Sequence, residues 1–342
     1  TKFMAVVKAN GYGHGAIPLA RKIEEAKAAD YFGVAQLIEA LELREAGIHT
    51  PILIFNSIRS HEMKLAIENH ISMTVFSEDV AKELVQTAEL LKVETTVHLK
   101  IDTGMARLGV STFEEAYRVY QALQSDFIHI EGIFTHFADA KEDSPDNFTH
   151  EQFSRFKHIL NAFNEQGITF NLRHSCNTAG TINFPAYHLD MVRVGLGIYG
   201  LNPTAGSEVE MHLDPIQEVS ALVTHVKDFP AEQSVGYGRT FYSKAPMKIA
   251  TVAIGYADGV AKSLSNKGYF TFKKHRLPIL GEVCMDQVMV DITALPEVAI
   301  GDELTYMGHP ENGHLSMSEV AKLANASQYD LLCRMGRLSN RI

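Results

Sequence analysis

The first two hundred residues alternate between short apolar runs and longer amphipathic stretches. Runs rich in strand formers occur at 3–9, 31–35, 51–56, 72–76, 95–102, 128–136, 171–176 and 191–200. Between them lie segments of helical period, among them "IPLARKIEEAKAA", "SEDVAKELVQTAELL" and "FTHEQFSRFKHILNAFNEQG". Several open on a capping Ser, Thr or Asn and close on Gly. Apolar strands separated by helices predict a parallel sheet with both faces covered. Eight such units are the count of an α/β fold of the (β/α)8 TIM-barrel type. A doubly wound sheet is the alternative, but it wants about six strands and a glycine-rich fingerprint that is missing here.

After Pro203 the pattern changes. "TAGSEVEMHLDP" reads as a polar linker, and "EVSALVTHVKDF", "MKIATVAIGYADG" and "DELTYMG" read as strands bounded by turn residues. One helix-like stretch, "MSEVAKLANAS", comes near the end. The expected organisation is a barrel over 1–205 followed by a smaller, mostly β domain over 206–342.

Composition narrows the chemistry more than the fold. A formal net charge of -10 over 342 residues argues against nucleic acid or an anionic membrane as partner. No apolar run is long enough to span a bilayer. Three scattered cysteines, Cys176, Cys284 and Cys333, suit a reducing cytoplasm better than a disulfide framework. The sixteen histidines form no metal-binding pattern, so no metal is expected. The chain opens on Thr1 and enters a strand at once, which suggests a start inside a longer protein. An upstream membrane anchor stays open.

"MAVVKANGYGHGA" raises the first chemical question, because Lys8 closes an apolar strand. It is either a strand-exit lysine pointing at water or an amine nucleophile whose pKa is lowered by partial burial. Barrel enzymes carry their chemistry at the C-terminal ends of the strands. Lys8, Lys100, His136, Asn177 with Thr178, and Arg193 all fall there, on five different strands, together with the exit loop "DTGMAR". The exit of strand eight, "RVGLG", supplies backbone N–H groups where this fold commonly cradles phosphate. A lysine amine, a phosphate cradle and an arginine between them are the parts of a pyridoxal phosphate site.

"AVVKANGYGHG", "KIDTGMARLGV", "THFA", "CNTAG", "MVRVGLGIYG", "SVGYGRTF", "IGYADG" and "GEVCMDQVMVD" together resemble, in order and over the whole chain, the motifs of the alanine racemases. That resemblance implies a fold-type III pyridoxal 5'-phosphate enzyme that interconverts L- and D-alanine, with D-alanine going to peptidoglycan. It implies that Lys8 holds the cofactor as a Schiff base and serves as one catalytic base. Tyr237 is the opposing base, supplied to the other subunit's site in a homodimer. Arg193 faces the pyridine nitrogen, and Tyr12, Thr178, Gly195, Leu196 and Tyr329 bind phosphate. His136 and Asn177 join the cofactor set, His136 as a relay between Tyr237 and Arg193. Arg107 and the backbone N–H of Met285 hold the substrate carboxylate, and Tyr256 lines the entrance. Lys100 matches a lysine that is often carbamylated and orients Arg107. Family members usually carry a further helix and strand before the lysine motif, and here the β domain is expected to show an unpaired edge.

The implied roles agree with the chemistry. Racemisation takes a proton from one face of Cα and returns one to the other, so two bases are needed. An arginine, which only donates, leaves the pyridine nitrogen unprotonated and disfavours decarboxylation. Two other readings stay open: a serine or broad-specificity racemase, because one hydroxyl is weakly rejected by an apolar pocket, and a non-catalytic pyridoxal phosphate carrier.

Overall fold

Eight short parallel strands follow one another around a ring: β1 (Lys2–Val6), β2 (Tyr31–Val34), β3 (Ile52–Ile54), β4 (Ser72–Val75), β5 (Thr95–Lys100), β6 (Ile128–Phe134), β7 (Leu172–His174) and β8 (Met191–Val194). Their order is β7-β6-β5-β4-β3-β2-β1-β8, every pairing parallel. The computed structural model describes residues 1–144, 146–204 and 211–335. The ring closes where Asp190 donates its backbone N–H to Arg173 O and Arg193 donates to Cys176 O, each at 3.0 Å. The chain divides into two compact units, 1–11 with 15–213 and 12–14 with 214–342.

The strand code explains the barrel's two environments. Phe32, Val34, Val97, Leu99 and Ile101 pack outward in one core with helix residues such as Ala40, Leu43, Leu84 and Phe156. Their alternate neighbours, Tyr31, His98 and Lys100, therefore face the interior. Met4, Tyr31, Leu53, Leu172 and Met191 form a second, inner cluster. Each helix follows its strand as the pattern predicts, for example Glu78–Leu91 after β4 and Phe148–Glu165 after β6.

Strand ends differ from expectation for local reasons. The first strand stops at Val6, not Ala9, because residues 9–12 turn left-handed. The eighth stops at Val194, where Gly195 leads into a tight turn over Leu196–Tyr199.

The second unit is built on an antiparallel sheet of order β14-β13-β16-β9-β12-β15. Its strands are β9 (Val219–Phe229), β12 (Met247–Val252), β13 (Tyr269–Phe272), β14 (His275–Pro278), β15 (Val288–Asp291) and β16 (Glu303–Met307). A small hairpin joins β10 (Ser234–Val235) to β11 (Phe241–Tyr242). A helix at Met317–Ala324 starts at a Ser316/Glu319 capping box, and a further helix at Gln328–Met335 was not foreshadowed by the pattern. Residues 205–210 of the expected linker, and with them the expected 205/206 boundary, lie outside the described residues. No helix among the described residues is long and apolar enough to cross a membrane.

Candidate active site

Lys8 is half-buried at the point where the chain leaves β1. The next residues enter the left-handed region: Ala9 (φ 53, ψ 49), Asn10 (φ 52, ψ 48), Gly11 (φ 63, ψ 44) and Tyr12 (φ 51). For non-glycine residues this costs about 1–2 kcal/mol each, so something must hold it. Glu39 Oε1 accepts from Ala9 N at 2.6 Å, Asn10 O from Gly15 N at 2.8 Å, and Asn10 Oδ1 from Ala16 N at 3.0 Å. The Asn and Gly of "KANGYG" thus turn the backbone sharply away directly after the lysine.

Other cations gather on the same rim. Lys100, at the end of β5, is 6 % exposed, and its ammonium lies 4.6 Å above the centre of the Phe134 ring. Burial, then Arg193, then Arg107 hold it well below the usual lysine value. Arg193 is buried in β8 and its Nη2 donates to Thr135 O (2.8 Å), Ser175 O (2.9 Å) and His136 Nδ1 (3.2 Å). Its Nη1 donates to His174 Nδ1 at 2.9 Å. Burial pulls even this guanidinium down to about 10. His136 is held well below the ordinary imidazole value by burial first, then by Arg193, Lys100, Arg107 and Lys8. Asp102 shapes the exit loop of β5 by accepting from the N–H groups of Gly104 (2.9 Å), Ala106 (3.1 Å) and Arg107 (3.1 Å). Burial works against its ionisation, but those bonds and Lys100 win and keep the carboxylate low.

Behind the cations lies a small polar cradle. Thr178 Oγ1 accepts from Gly195 N at 3.0 Å. A Cβ on Gly197 would sit 3.0 Å from both Thr178 Cγ2 and Val194 Cγ1, so a larger residue there requires those side chains to give by a few tenths of an ångström. Asn177 caps the Thr178–Asn183 helix, accepting from Gly180 N at 3.0 Å and donating to Phe137 O at 3.3 Å. Its side chain is therefore committed to local structure.

The remaining expected residues belong to the second unit. Tyr237 follows Gly236 (φ 74) and is 69 % exposed. Tyr256 and Met285 are brought side by side, because Tyr256 N donates to Cys284 O and Ala257 N to Met285 O, each at 3.0 Å. A Cβ on Gly255 would fall 2.1 Å from Met285 O, so glycine is required there. The rings of Tyr12 and Tyr329 lie 6.1 Å apart, and burial raises both phenols above their ordinary value.

With this geometry in view, comparison with known proteins decides the family. Residues 1–203 match the alanine racemase N-terminal domain and residues 216–342 the alanine racemase C-terminal domain. The chain belongs to the alanine racemase family. Alanine racemase 2 of Oceanobacillus iheyensis is 42% identical over 342 residues, covering 100% of this chain and 86% of that protein. The alanine racemase of Methanococcus maripaludis is 39% identical, covering 100% and 91%. Among solved structures, the alanine racemase of Clostridium difficile 630 superposes with a TM-score of 0.91 at 32% identity, covering 97% of this chain and 86% of that one. The Bacillus anthracis alanine racemase with bound L-Ala-P gives 0.90 at 32%, covering 98% and 86%.

Within this family member the barrel also holds polar residues that the sequence reading passed over: Tyr31, His98, Glu131 and His174. His98 shares its strand face with Lys100 in "TTVHLK", and that parity was the available signal. Glu131 offered the same signal, alternating with the outward Ile128 and Ile130 in "IHIEGIF".

Proposed function

We propose that this chain interconverts L-alanine and D-alanine with pyridoxal 5'-phosphate as cofactor, in the cytoplasm, to supply D-alanine for peptidoglycan. The observation that supports this best is charge. Lys8, Arg107, Lys100 and Arg193 all act on His136 at one barrel rim. The carboxylate acting on Lys100 there is Asp102, whose oxygens are taken up by three backbone N–H groups. Such a rim suits a ligand that brings a phosphate and a carboxylate of its own.

The residues present fit that ligand. In this reading residues 1–205 would bind the cofactor: Lys8 would hold it covalently, Arg193 would face its ring nitrogen, and Thr178, Gly195, Leu196 and Tyr12 would take the phosphate together with Tyr329 of the second domain, with Asn177 shaping the loop. Residues 206–342 complete the site of a partner subunit in a homodimer. When bound, the cofactor supplies an electron sink that acidifies the α-C–H of the substrate. Arg107 and the backbone N–H of Met285 hold the carboxylate, and Tyr256 lines the entrance. Lys8 Nζ moves the proton on one face of Cα, and the partner subunit's Tyr237 Oη moves it on the other. A phenol of pKa about 10 needs nearby positive charge to act as a base near neutrality. His136, bonded to Arg193, relays that influence. Lys100 carries a carbamate that gives the cationic rim a second anion and orients Arg107.

The test is L-alanine in deuterium oxide with pyridoxal phosphate, following optical rotation and α-deuteration together. Loss of rotation with deuteration, both abolished in Lys8→Ala, is expected. Tyr237→Phe should retain cofactor absorbance while turnover falls by at least about a hundredfold. Deuteration with rotation retained would refute the second base, and exchange on L-serine alone would move the substrate. A fully active monomer by sedimentation would refute the shared site.

A further inference from the structure

The interior of a TIM-type barrel is ordinarily filled by branched apolar side chains. Here five polar side chains from five strands meet in it instead. Arg193 Nη1 donates to His174 Nδ1 at 2.9 Å. The Nε2 of His174 lies 2.9 Å from Nδ1 of His98. Nε2 of His98 lies 3.2 Å from Oε2 of Glu131. Tyr31 Oη donates to the same carboxylate oxygen.

The direction of every proton in this chain follows from its two ends. Arginine only donates, so His174 Nδ1 carries no proton and accepts. His174 is then neutral with its proton on Nε2, which it donates to His98 Nδ1. His98 must in turn hold its proton on Nε2 and donate it to Glu131, a carboxylate that only accepts. Three donors thus point the same way, from guanidinium to carboxylate. Burial, the leading influence on each ring, favours neutral imidazoles at both positions.

Three structural devices serve this arrangement. The pairing of β5 with β6 shifts register between Val97/Ile130 and His98/Gly132, which leaves Glu131 as the extra residue of a bulge. Bulges in parallel pairs are rare, and this one lets two successive residues, Glu131 and Gly132, face inward between the outward Ile130 and Ile133. Gly132 makes room for the ring: a Cβ there would fall 2.3 Å from His98 Nδ1. Phe134 stacks on His174 with ring centres 4.6 Å apart and planes 4° from parallel, which fixes the orientation of that imidazole.

We infer that Glu131 is a positioning residue for Arg193: acting through His98 and His174, it sets the tautomers of both imidazoles and thereby holds the guanidinium in register. Without that anchor His98 is free to put its proton on Nδ1. His174 then turns to an Nδ1–H tautomer and presents a donor to the donating guanidinium. The inference rests on the proposed placement of Arg193 at the cofactor's ring nitrogen for its catalytic meaning, but not for its structural content.

The experiment reads ¹⁵N resonances of ¹⁵N-histidine-labelled protein, with His98→Asn and His174→Asn assigning the two rings. The wild type should show both as neutral Nε2–H tautomers between about pH 6 and 8, a range that spans the ordinary imidazole pKa. Glu131→Gln keeps an acceptor oxygen and should keep these tautomers. Glu131→Leu should redistribute them and lower kcat about tenfold with KM little changed, the low end for loss of an outer partner. If Glu131→Leu does not fold, Tyr31→Phe, which removes one donor to the carboxylate, should shift the His98 resonances in its place. An Nδ1–H tautomer or imidazolium at His174 in the wild type would overturn the inference. So would wild-type tautomers in Glu131→Leu. Because the tautomers are read without turnover, an inactive protein with the expected tautomers would count against the proposed reaction and leave this assignment standing.

Discussion

Gly132→Ala should destabilise the barrel, although at most strand positions the change would help. Gly132 is not in the left-handed region, so alanine meets no backbone strain there. Reduced freedom of the unfolded chain would by itself stabilise by about 0.4–1 kcal/mol. Contact decides the other way. The new Cβ would lie 2.3 Å from Nδ1, 2.6 Å from Cε1 and 2.9 Å from Cγ of His98, where ordinary contact begins at 3.4 Å. The ring must retreat by roughly 1 Å, which an overpacked core site resists at about 1–3 kcal/mol. That retreat also breaks the 2.9 Å bond between His98 and His174, and a buried polar group left unpaired costs about 1–3 kcal/mol more. The net loss is about 1–5 kcal/mol, or roughly 3–15 °C in the barrel's unfolding midpoint. Calorimetry is the suitable assay, since two units need not melt together. A midpoint within about 1 °C of wild type, inside the error of the expected shift, with unchanged His98 and His174 resonances would refute the steric argument.

Two further outcomes follow from charge. Burial, then Arg193, then Arg107 push the Lys100 pKa well down, which favours the neutral amine that carbon dioxide attacks, so ¹³C-bicarbonate should give a carbamate resonance that disappears in Lys100→Gln; its absence from the wild type would remove the second anion from the rim. At the barrel seam Asp190 accepts from Arg173 Nε (2.7 Å), Nη2 (3.0 Å) and N (2.8 Å). Asp190→Asn should lose about 1–2 kcal/mol, a figure reduced for the pair's partial exposure. The hydrogen bond from Arg173, and then burial working against it, leave the Asp190 pKa below its ordinary 3.8. Its stabilisation is therefore complete above that value and is lost as pH falls through the lower folded one. The gap between wild type and Asp190→Asn should be flat from about pH 5 to 8 and close below about pH 3; a gap undiminished in acid would contradict the ion pair.

The alternation of apolar runs and helical stretches was enough to read the barrel, because each strand–helix unit buries its outer face locally. Lys8, Lys100, His136 and Arg193 stood out as polar residues at strand ends, and the structure brings them to one rim. Less legible were the strand ends themselves. Residues 9–12 and 195–199 leave the sheet through turns whose left-handed or tight backbone depends on bonds to Glu39 and Thr178, distant in sequence. Asn177 looked like a ligand from its motif, and its side chain caps a helix and bonds Phe137.

By itself the sequence determined the fold class, the succession of elements and the kinds of chemistry at the rim, since periodicity and residue type are local properties. Which interior side chains meet was decided only by the tertiary structure. Strict alternation from the outward Ile130 turns Glu131 inward but would turn Gly132 away from His98. One extra residue in the pairing of β5 with β6 lets both face that ring. Register between two strands is a property of the pair, set by how both pack against their neighbours, and neither strand's residues carry it alone.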